Sequence, residues 1–133
     1  MDRALAKKND PFQKERIVKI MKVINLTPHY VNICDKWGNI IKTYETMGKD
    51  RAARVSHGYE TIDIIDGVPI SIRQNEHLIN LPDPEEGVMY IVSNIVLDYC
   101  RDRVDLLAPV KQVKVDGRVI GCRSFMSNSG RES

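Results

Sequence analysis

Three arginines next to apolar segments, Arg54, Arg103 and Arg123, are the side chains best suited to bind a charged ligand. A guanidinium group is planar and carries paired N–H donors that can bond two phosphate oxygens at once. The three residues come from separate segments, so only the fold can bring them to one ligand. Their type and setting predict an anion-binding site, with phosphate as the favoured group.

A Ser93-Asn94 pair stands between a strand-like segment, VMYIV, and a helical pattern that runs to Cys100. Free backbone N–H groups and the positive end of a helix dipole favour an anion at such a junction. The two polar side chains could bind a ribose or a base, and Tyr90 or Tyr99 could stack on adenine. With the arginines, these residues favour an anion-binding pocket.

Each of these residues also has a structural interpretation. Arg101 and Arg103 lie at the end of the predicted helix, where the dipole favours cations, and Asp102 and Asp105 are near enough to pair with them. Tyrosines in strands and amphipathic helices are more often part of the core. The spacing alone therefore leaves two alternatives open, a capped surface helix and an anion pocket.

The chain contains none of the common catalytic signatures. The P-loop, G-x-G-x-x-G, H-E-x-x-H and G-x-S-x-G patterns are all absent. His29, His57 and His77 fall in three different segments, and their spacing indicates no metal site. A cysteine–histidine pair would be set by the fold and stays open. We expect a binding protein rather than an enzyme, without catalytic residues, metal or cofactor.

The composition suits a single domain, since 133 residues, 42% of them hydrophobic, can bury a core without disulfide or metal support. No apolar stretch approaches the roughly 20 residues that span a bilayer, and no signal peptide is visible. We therefore expect a cytoplasmic protein with no membrane association. Cys34, Cys100 and Cys122 are odd in number and widely spaced, which favours buried, reduced thiols.

Charge is unevenly distributed along the chain. Residues 1–20 hold six basic and three acidic residues, or +3, and the whole chain carries +2, which leaves −1 for residues 21–133. A nearly neutral body lacks the basic field that binds nucleic-acid polymers, so none is expected as a partner. We divide the chain into a basic N-terminal extension, 1–20, a single β-rich ligand-binding domain, 21–126, and a disordered tail, 127–133.

The sequence pattern predicts an α+β domain, mainly antiparallel β-sheet with one short helix in the C-terminal third. Turn signals at 35–38, 66–67 and 116–117 predict three hairpins between short apolar runs. In ETIDIID, Ile62 and Ile64 alternate with Thr61 and Asp63, which predicts a half-buried strand. The acidic segment NLPDPEEG, with two prolines, predicts a surface loop.

The order of several short motifs resembles one family. They are NLTPH at 25–29, ARV at 53–55, GVP at 67–69, LPDP at 81–84, YIVS at 90–93, RVDL at 103–106 and DG with IGC at 116–122. Together they are similar to the phage Thoeris anti-defence sponges, small phage and prophage proteins that sequester cyclic ADP-ribose signals. The similarity covers about residues 21–125. The twenty-residue extension departs from the family pattern.

The resemblance implies a β-rich protomer that forms a homo-oligomer, a dimer that can assemble further into a hexamer. It implies sequestration of a cyclic ADP-ribose-type nucleotide without cleavage, in an infected or lysogenic bacterial host. Cyclic oligonucleotides are bound at a separate site between protomers in some members. Two alternatives from other classes remain: a small nucleotide hydrolase using His29 or His57 as general base, and a structural or DNA-associated phage protein acting through residues 1–20.

Overall fold

Short apolar runs separated by glycine and proline turns form eight strands in the computed structural model, which describes residues 22–130. The strands are β1 Lys22–Asn25, β2 Val31–Cys34, β3 Ile40–Tyr44, β4 Arg54–Ile65, β5 Val68–Ile79, β6 Val88–Ile91, β7 Leu106–Val115 and β8 Arg118–Ser127. A 3₁₀ turn, Lys49–Arg51, precedes β4, and helix α1, Asn94–Tyr99, follows β6. No helix within 22–130 is long and apolar enough to cross a bilayer.

The main sheet has six strands in the order β1-β6-β7-β8-β2-β3. The hairpins β2–β3 and β7–β8 are antiparallel, as their turn residues predict, and they contribute most of its paired residues. Three short pairings, β1 with β6, β6 with β7 and β2 with β8, are parallel. The mainly β fold with one short helix is confirmed, but the parallel pairings were not predicted. Two of them, β1 with β6 and β2 with β8, join segments far apart in sequence, and the third joins β6 to β7 across helix α1.

The two ends of the sheet meet at Asn25, the last residue of β1. Thr46 forms an isolated parallel bridge with Asn25, so the chain after β3 returns to β1 and joins the two edges of the sheet. The Asn25 side chain is 2% exposed. Its Nδ2 donates to the carbonyls of His29, at 2.9 Å, and Tyr44, at 3.1 Å, while its Oδ1 accepts from Thr27. One buried amide therefore joins β1, the turn after it and β3.

Alternation along β6 divides the core between the two sides of the sheet. Tyr90 and Val92 belong to the larger cluster, on the side covered by α1, which also contains Leu26, Ala53, Val88, Val96, Leu97, Leu106 and Ala108. Ile91 points the other way and packs with Val31 and Cys122. Tyr44 and Phe125 cover this second cluster, with ring centroids 5.9 Å apart. The body is packed on both sides of its central strands.

The C-terminal end of β8 is tied to helix α1. Asn128 is 2% exposed, and its Nδ2 donates to the carbonyls of Leu97, Cys100 and Arg103 at 2.9–3.2 Å. Residues 127–130 are therefore ordered and part of the domain, contrary to the prediction of a tail that is disordered from residue 127. The polar sequence SNSG suggested disorder, but the Asn128 amide in it bonds the carbonyls at the C-terminal end of α1, which water would otherwise bond. Residues 131–133 and the predicted extension, 1–20, lie outside the described residues.

Strands β4 and β5 form a separate two-stranded sheet, here called the β4–β5 arm. Asp66 and Gly67 both have positive φ, 53° and 75°, at the predicted hairpin turn. Residues 58–77 are exposed on both strands. Ile62 and Ile64 are 56% and 65% exposed, so the prediction of a half-buried strand is wrong for the single protomer.

Gly121 marks the closest approach between β8 and β2. A Cβ atom at this residue would lie 2.6 Å from the Asn32 carbonyl oxygen and 2.8 Å from Cys34 Sγ. We expect Gly121→Ala to lower the free energy of unfolding by about 1–3 kcal/mol, because the backbone oxygen must shift to admit the methyl group. Gly58→Ala is the matched control, since its nearest neighbour is 3.8 Å away. Urea unfolding measures both, and equal stabilities would contradict the predicted strain.

Candidate ligand-binding cleft

An open cleft of about 720 Å³ lies where the β4–β5 arm joins the six-stranded sheet. The start of β4 and the end of β5, with the residues next to them, are here called the root of the arm. Its lining comes from β1 and the residue after it, from the 3₁₀ turn before β4, from the loop after β5, and from β6. The lining residues are Ile24, Leu26, Met47, Asp50, Arg51, Asn80, Leu81, Pro82, Glu85 and Tyr90. Apolar side chains therefore alternate with a few charged and amide groups around one opening.

Hydrogen bonds across the arm's root hold the cleft walls together. The Ala53 N–H donates to the Leu26 carbonyl at 2.9 Å, which fixes the start of β4 to the end of β1. The Asn80 side chain donates to the carbonyls of Asp50 and Ala52, at 3.1 and 3.2 Å. Asn80 itself has φ 65°, a conformation that asparagine tolerates better than most residues. The cleft is thus built by backbone geometry rather than by flexible side chains alone.

Tyr90 stands at the inner wall of the cleft. The parallel register of β1 and β6 places it beside Ile24, and only 3% of the residue is exposed. Burial raises the pKa of its hydroxyl, and the carboxylates of Glu85 and Asp105 raise it further, so the group is protonated at neutral pH. Within residues 22–130 that hydroxyl has no hydrogen-bond partner. Tyr90 lines the open cleft, so this hydroxyl can bond a polar atom of a ligand.

Arg103 binds its own chain rather than lining the cleft. Its Nε and Nη2 donate to Asp105 Oδ1 and Oδ2, both at 2.8 Å, and Nη2 also donates to the Pro82 carbonyl at 3.0 Å. The hydrogen bond to Asp105 is the main reason that the pKa of Arg103 is raised. The sequence alternative in which Asp105 pairs with this arginine is what the structure shows. The guanidinium therefore holds Pro82, a residue of the cleft lining, in position.

Helix α1 carries the other polar residues predicted near the strand end. Ser93 caps it, with Oγ accepting from the Val96 N–H at 3.3 Å, and Asn94 is exposed at its first turn. The Tyr99 hydroxyl donates to the Glu76 carbonyl at 3.3 Å, which ties the helix to the base of the arm. None of the three lines the cleft. Ser93 and Tyr99 have structural contacts that account for them.

The remaining two arginines are also absent from the cleft lining. Arg54 is exposed at the first residue of β4, opposite Ile79. Arg123 is in β8, where its Nη2 donates to the Lys36 carbonyl at 3.1 Å in the β2–β3 turn. Of the seven predicted site residues, only Tyr90 lines the cleft, and Arg103 contacts it through the carbonyl of the lining residue Pro82.

Sequence reasoning missed Arg51, the cation that does line the cleft. Its side chain is exposed and has no ion-pair partner in the described part of the chain. The segment ETMGKDRAARVSHG was interpreted as a polar crossing, although Gly48 ahead of Lys49-Asp50-Arg51 was a signal for a tight turn. Gly48 has φ 103°, which a side chain would disfavour. Asn80 was also missed, because its side chain bonds the carbonyls of Asp50 and Ala52, about thirty residues earlier in the sequence.

The thiols and histidines form no metal cluster within 22–130, where no group of three or more His, Cys, Asp or Glu side chains is arranged to bind an ion. Cys34 and Cys122 are buried, and all three cysteines are unbridged. Burial raises the pKa of both Cys100 and Cys122, which keeps those thiols protonated. This agrees with the sequence interpretation of reduced structural cysteines.

Comparison with known proteins places this chain in no group, since no family model, no curated sequence and no solved structure matches it.

The hydrogen bonds from Arg103 to Asp105 and Pro82, here called the Arg103 clamp, can be tested by comparing variants of Arg103 and Arg101. Arg103→Ala removes three hydrogen bonds and leaves Asp105 without its partner, so we expect a loss of about 1.5–3 kcal/mol in the free energy of unfolding. Arg101→Ala, two residues away and exposed, should change it by less than about 0.5 kcal/mol. Chemical denaturation distinguishes the two variants, and equal losses would contradict the clamp.

Tyr90 predicts a stability change at high pH. The folded pKa lies above the unfolded value, so stabilisation is complete below the unfolded pKa of about 10 and is lost as pH rises toward the folded pKa. Tyr90→Phe should flatten that decline, and it should keep or raise stability at neutral pH because the buried hydroxyl is unpaired. Urea unfolding from neutral pH upward tests this, with Tyr30→Phe, at an exposed position, as control. An unchanged slope in Tyr90→Phe would exclude the assigned titration.

Proposed function

We propose that this chain is a phage anti-defence protein that binds a cyclic ADP-ribose-type nucleotide and sequesters it without cleavage. The observation that carries the proposal is the Tyr90 hydroxyl, which has no hydrogen-bond partner within residues 22–130, in a cleft that also presents apolar walls and Arg51. The motif order from NLTPH to IGC supports the same class of ligand. The activity requires tight binding in stoichiometric amounts rather than turnover.

The cleft offers each part of such a nucleotide a complementary surface. Ile24, Leu26 and Met47 provide an apolar wall against which a base or a ribose ring can pack. Arg51 provides a guanidinium for the pyrophosphate. The Tyr90 hydroxyl can donate to a ring nitrogen or a phosphate oxygen. A volume of about 720 Å³ falls inside the range of roughly 300–1,000 Å³ for small-molecule sites.

Asp50 and Glu85 give the cleft a second kind of polar group. Carboxylates only accept hydrogen bonds when ionised, so they suit ribose hydroxyls and the adenine amino group. They also oppose a high density of phosphate charge beside them. Among residues 22–130 the lining holds one cation, Arg51, and two carboxylates, and this mixture favours a nucleotide rich in hydroxyl groups over an inorganic polyphosphate. Cyclic ADP-ribose isomers, with two riboses and one pyrophosphate, have that balance.

Sequestration explains the biological setting that the resemblance implies. A protein that binds a diffusible immune messenger lowers its free concentration, so the downstream effector stays inactive. This works in the cytoplasm of an infected or lysogenic bacterium, where the messenger is made. Binding of cyclic oligonucleotides at a second site between protomers belongs to the same proposal and requires assembly.

The first experiment is retention and release of intact ligand. The full chain is incubated with a panel of cyclic ADP-ribose isomers and cyclic oligonucleotides, free ligand is removed by filtration, and the protein is heat-denatured. We expect mass spectrometry to identify one unmodified cyclic nucleotide in the released fraction. A product of altered mass would support the hydrolase alternative. Retention of none would overturn the proposal, and loss of anti-defence activity on deletion of residues 1–20 alone would favour the DNA-associated alternative.

Two cleft variants test the location of the ligand. Arg51→Ala removes the only cation that residues 22–130 contribute to the cleft lining and should raise the Kd by about 10- to 100-fold, because hydrogen bonds to charged groups contribute about 1.5–3 kcal/mol. Tyr90→Phe should raise it by about 2- to 10-fold. Arg123→Ala is the matched arginine control outside the cleft, measured by titration calorimetry. A loss confined to Arg123→Ala would place the nucleotide beside the β2–β3 turn instead.

A further inference from the structure

The β4–β5 arm has two faces of different chemistry. Directly opposite residues of an antiparallel pair lie on the same face. On one face, here called the acidic–aliphatic face, the register pairs Glu60 with Ile72, Asp63 with Ile70 and Ile65 with Val68. Arg73, the only basic residue between 58 and 74, pairs with Tyr59 on the other face. The acidic–aliphatic face therefore combines two carboxylates with four aliphatic side chains and has no cation between residues 58 and 74.

The acidic–aliphatic face is exposed in the described part of the chain. Its four aliphatic residues are 37–57% exposed, and both of its acidic residues are exposed as well. A two-stranded hairpin without a packed face is marginal in water, so a covering segment would stabilise the arm. That segment needs apolar side chains for the aliphatic row and positive charge for the carboxylates, because a carboxylate covered without a partner loses its hydration.

The N-terminal extension, residues 1–20, has this composition. It lies outside the described residues, and its sequence holds six basic against three acidic residues. Its outer part, MDRALAKK at 1–8, contains three basic residues, one acidic residue and four apolar residues, which gives a net charge of +2. The two carboxylates of the acidic–aliphatic face give −2. Opposite charges of equal size make the segment and the face complementary.

The extension is long enough to reach the arm of its own chain. Lys22 begins β1, and the Ala53 N–H at the root of the arm donates to the Leu26 carbonyl just past the end of β1. At about 3.3 Å per residue along β1 and β4, with about 5 Å between the strands, the path from Lys22 to Glu60 is at most about 45 Å. Residues 1–8 precede Lys22 by 14 or more residues, so the extended chain between them spans about 46 Å or more. The outer part of the extension can therefore reach the acidic–aliphatic face.

We propose that residues 1–8 bind the acidic–aliphatic face of the arm in the same chain, with Lys7 and Lys8 beside its carboxylates and Leu5 against its aliphatic row. This goes beyond nucleotide binding and does not depend on it. A single exposed ion pair contributes little, but a tethered segment acts at an effective concentration in the millimolar range, so modest apolar and ionic contacts together suffice for binding. A second copy is a poorer occupant, because two such faces would bring four carboxylates together.

Zero-length crosslinking tests the contact directly, because a carbodiimide joins a lysine amine to a carboxylate only when the two groups touch. An equal mixture of unlabelled and ¹⁵N-labelled full chain, without nucleotide, is crosslinked, digested and analysed by mass spectrometry. We expect Lys7 or Lys8 to be joined to Glu60 or Asp63 in peptides of a single isotope. Asp116, exposed at the β7–β8 turn, is the control carboxylate and should give about fivefold fewer links or less, since the extension is concentrated at the arm.

Two adjacent isoleucines on opposite faces test the apolar contact. Ile65 lies on the acidic–aliphatic face and Ile64 on the other, and they are 55% and 65% exposed. Ile65→Asn removes apolar area from the contact, so it should lower the yield of arm crosslinks about 3- to 10-fold, whereas Ile64→Asn should leave it within about twofold. Circular dichroism melts establish that both variants fold.

Several results would overturn the proposal. Arm crosslinks in peptides of mixed isotope would show contact between copies instead of within one chain. Links to Asp116 as frequent as those to the arm, or equal yields in the two isoleucine variants, would show that the contact is not specific to this face. Absence of arm crosslinks would leave the face to a basic partner protein. Because no nucleotide is present, failure here leaves the retention experiment unaffected, and the reverse also holds.

Discussion

The buried amide of Asn25 is the interaction on which the arrangement of the body depends. The first and last parts of the main sheet meet there through one backbone bridge, and the Asn25 amide adds hydrogen bonds to the carbonyls of His29 and Tyr44. An amide has both donors and an acceptor, so it can satisfy both carbonyls and still bind Thr27. The residue that follows, Leu26, already lines the cleft. Closure of the sheet and formation of the cleft wall therefore share one side chain.

Local turn chemistry made much of the fold predictable from sequence. Asp66-Gly67 and Asp116-Gly117 both take positive φ at hairpin turns, and Ser93 caps α1, because each depends only on neighbouring residues. The parallel pairing of β1 with β6 joins Lys22 to Val88 across about half of the chain, and no local signal encodes it. Asn128 shows the opposite error, since a polar residue near the C-terminus was interpreted as disordered when it caps a helix.

The candidate cleft was less predictable than the fold for a related reason. Its lining comes from both roots of a hairpin that spans 26 residues from Arg54 to Ile79, so residues distant in sequence become neighbours. Tyr90 was identified because an aromatic beside a strand end is a general binding feature. Arg103 was identified by residue type, and its partner Asp105 is two residues away, but its bond to Pro82 required the loop after β5 to be placed. Arg51 depended on recognising a single 3₁₀ turn.

The hydrogen bonds at the root of the β4–β5 arm make the hairpin a module. Ala53 binds Leu26 and Asn80 binds Asp50 and Ala52, so the body is continuous beneath the arm whatever its length. Insertions or deletions of paired residues between 58 and 74 would alter the hairpin without breaking a hydrogen bond at its root. The hairpin can therefore change in length or in surface residues during evolution while the main sheet stays the same. Its surface is free to diverge faster than the six-stranded sheet.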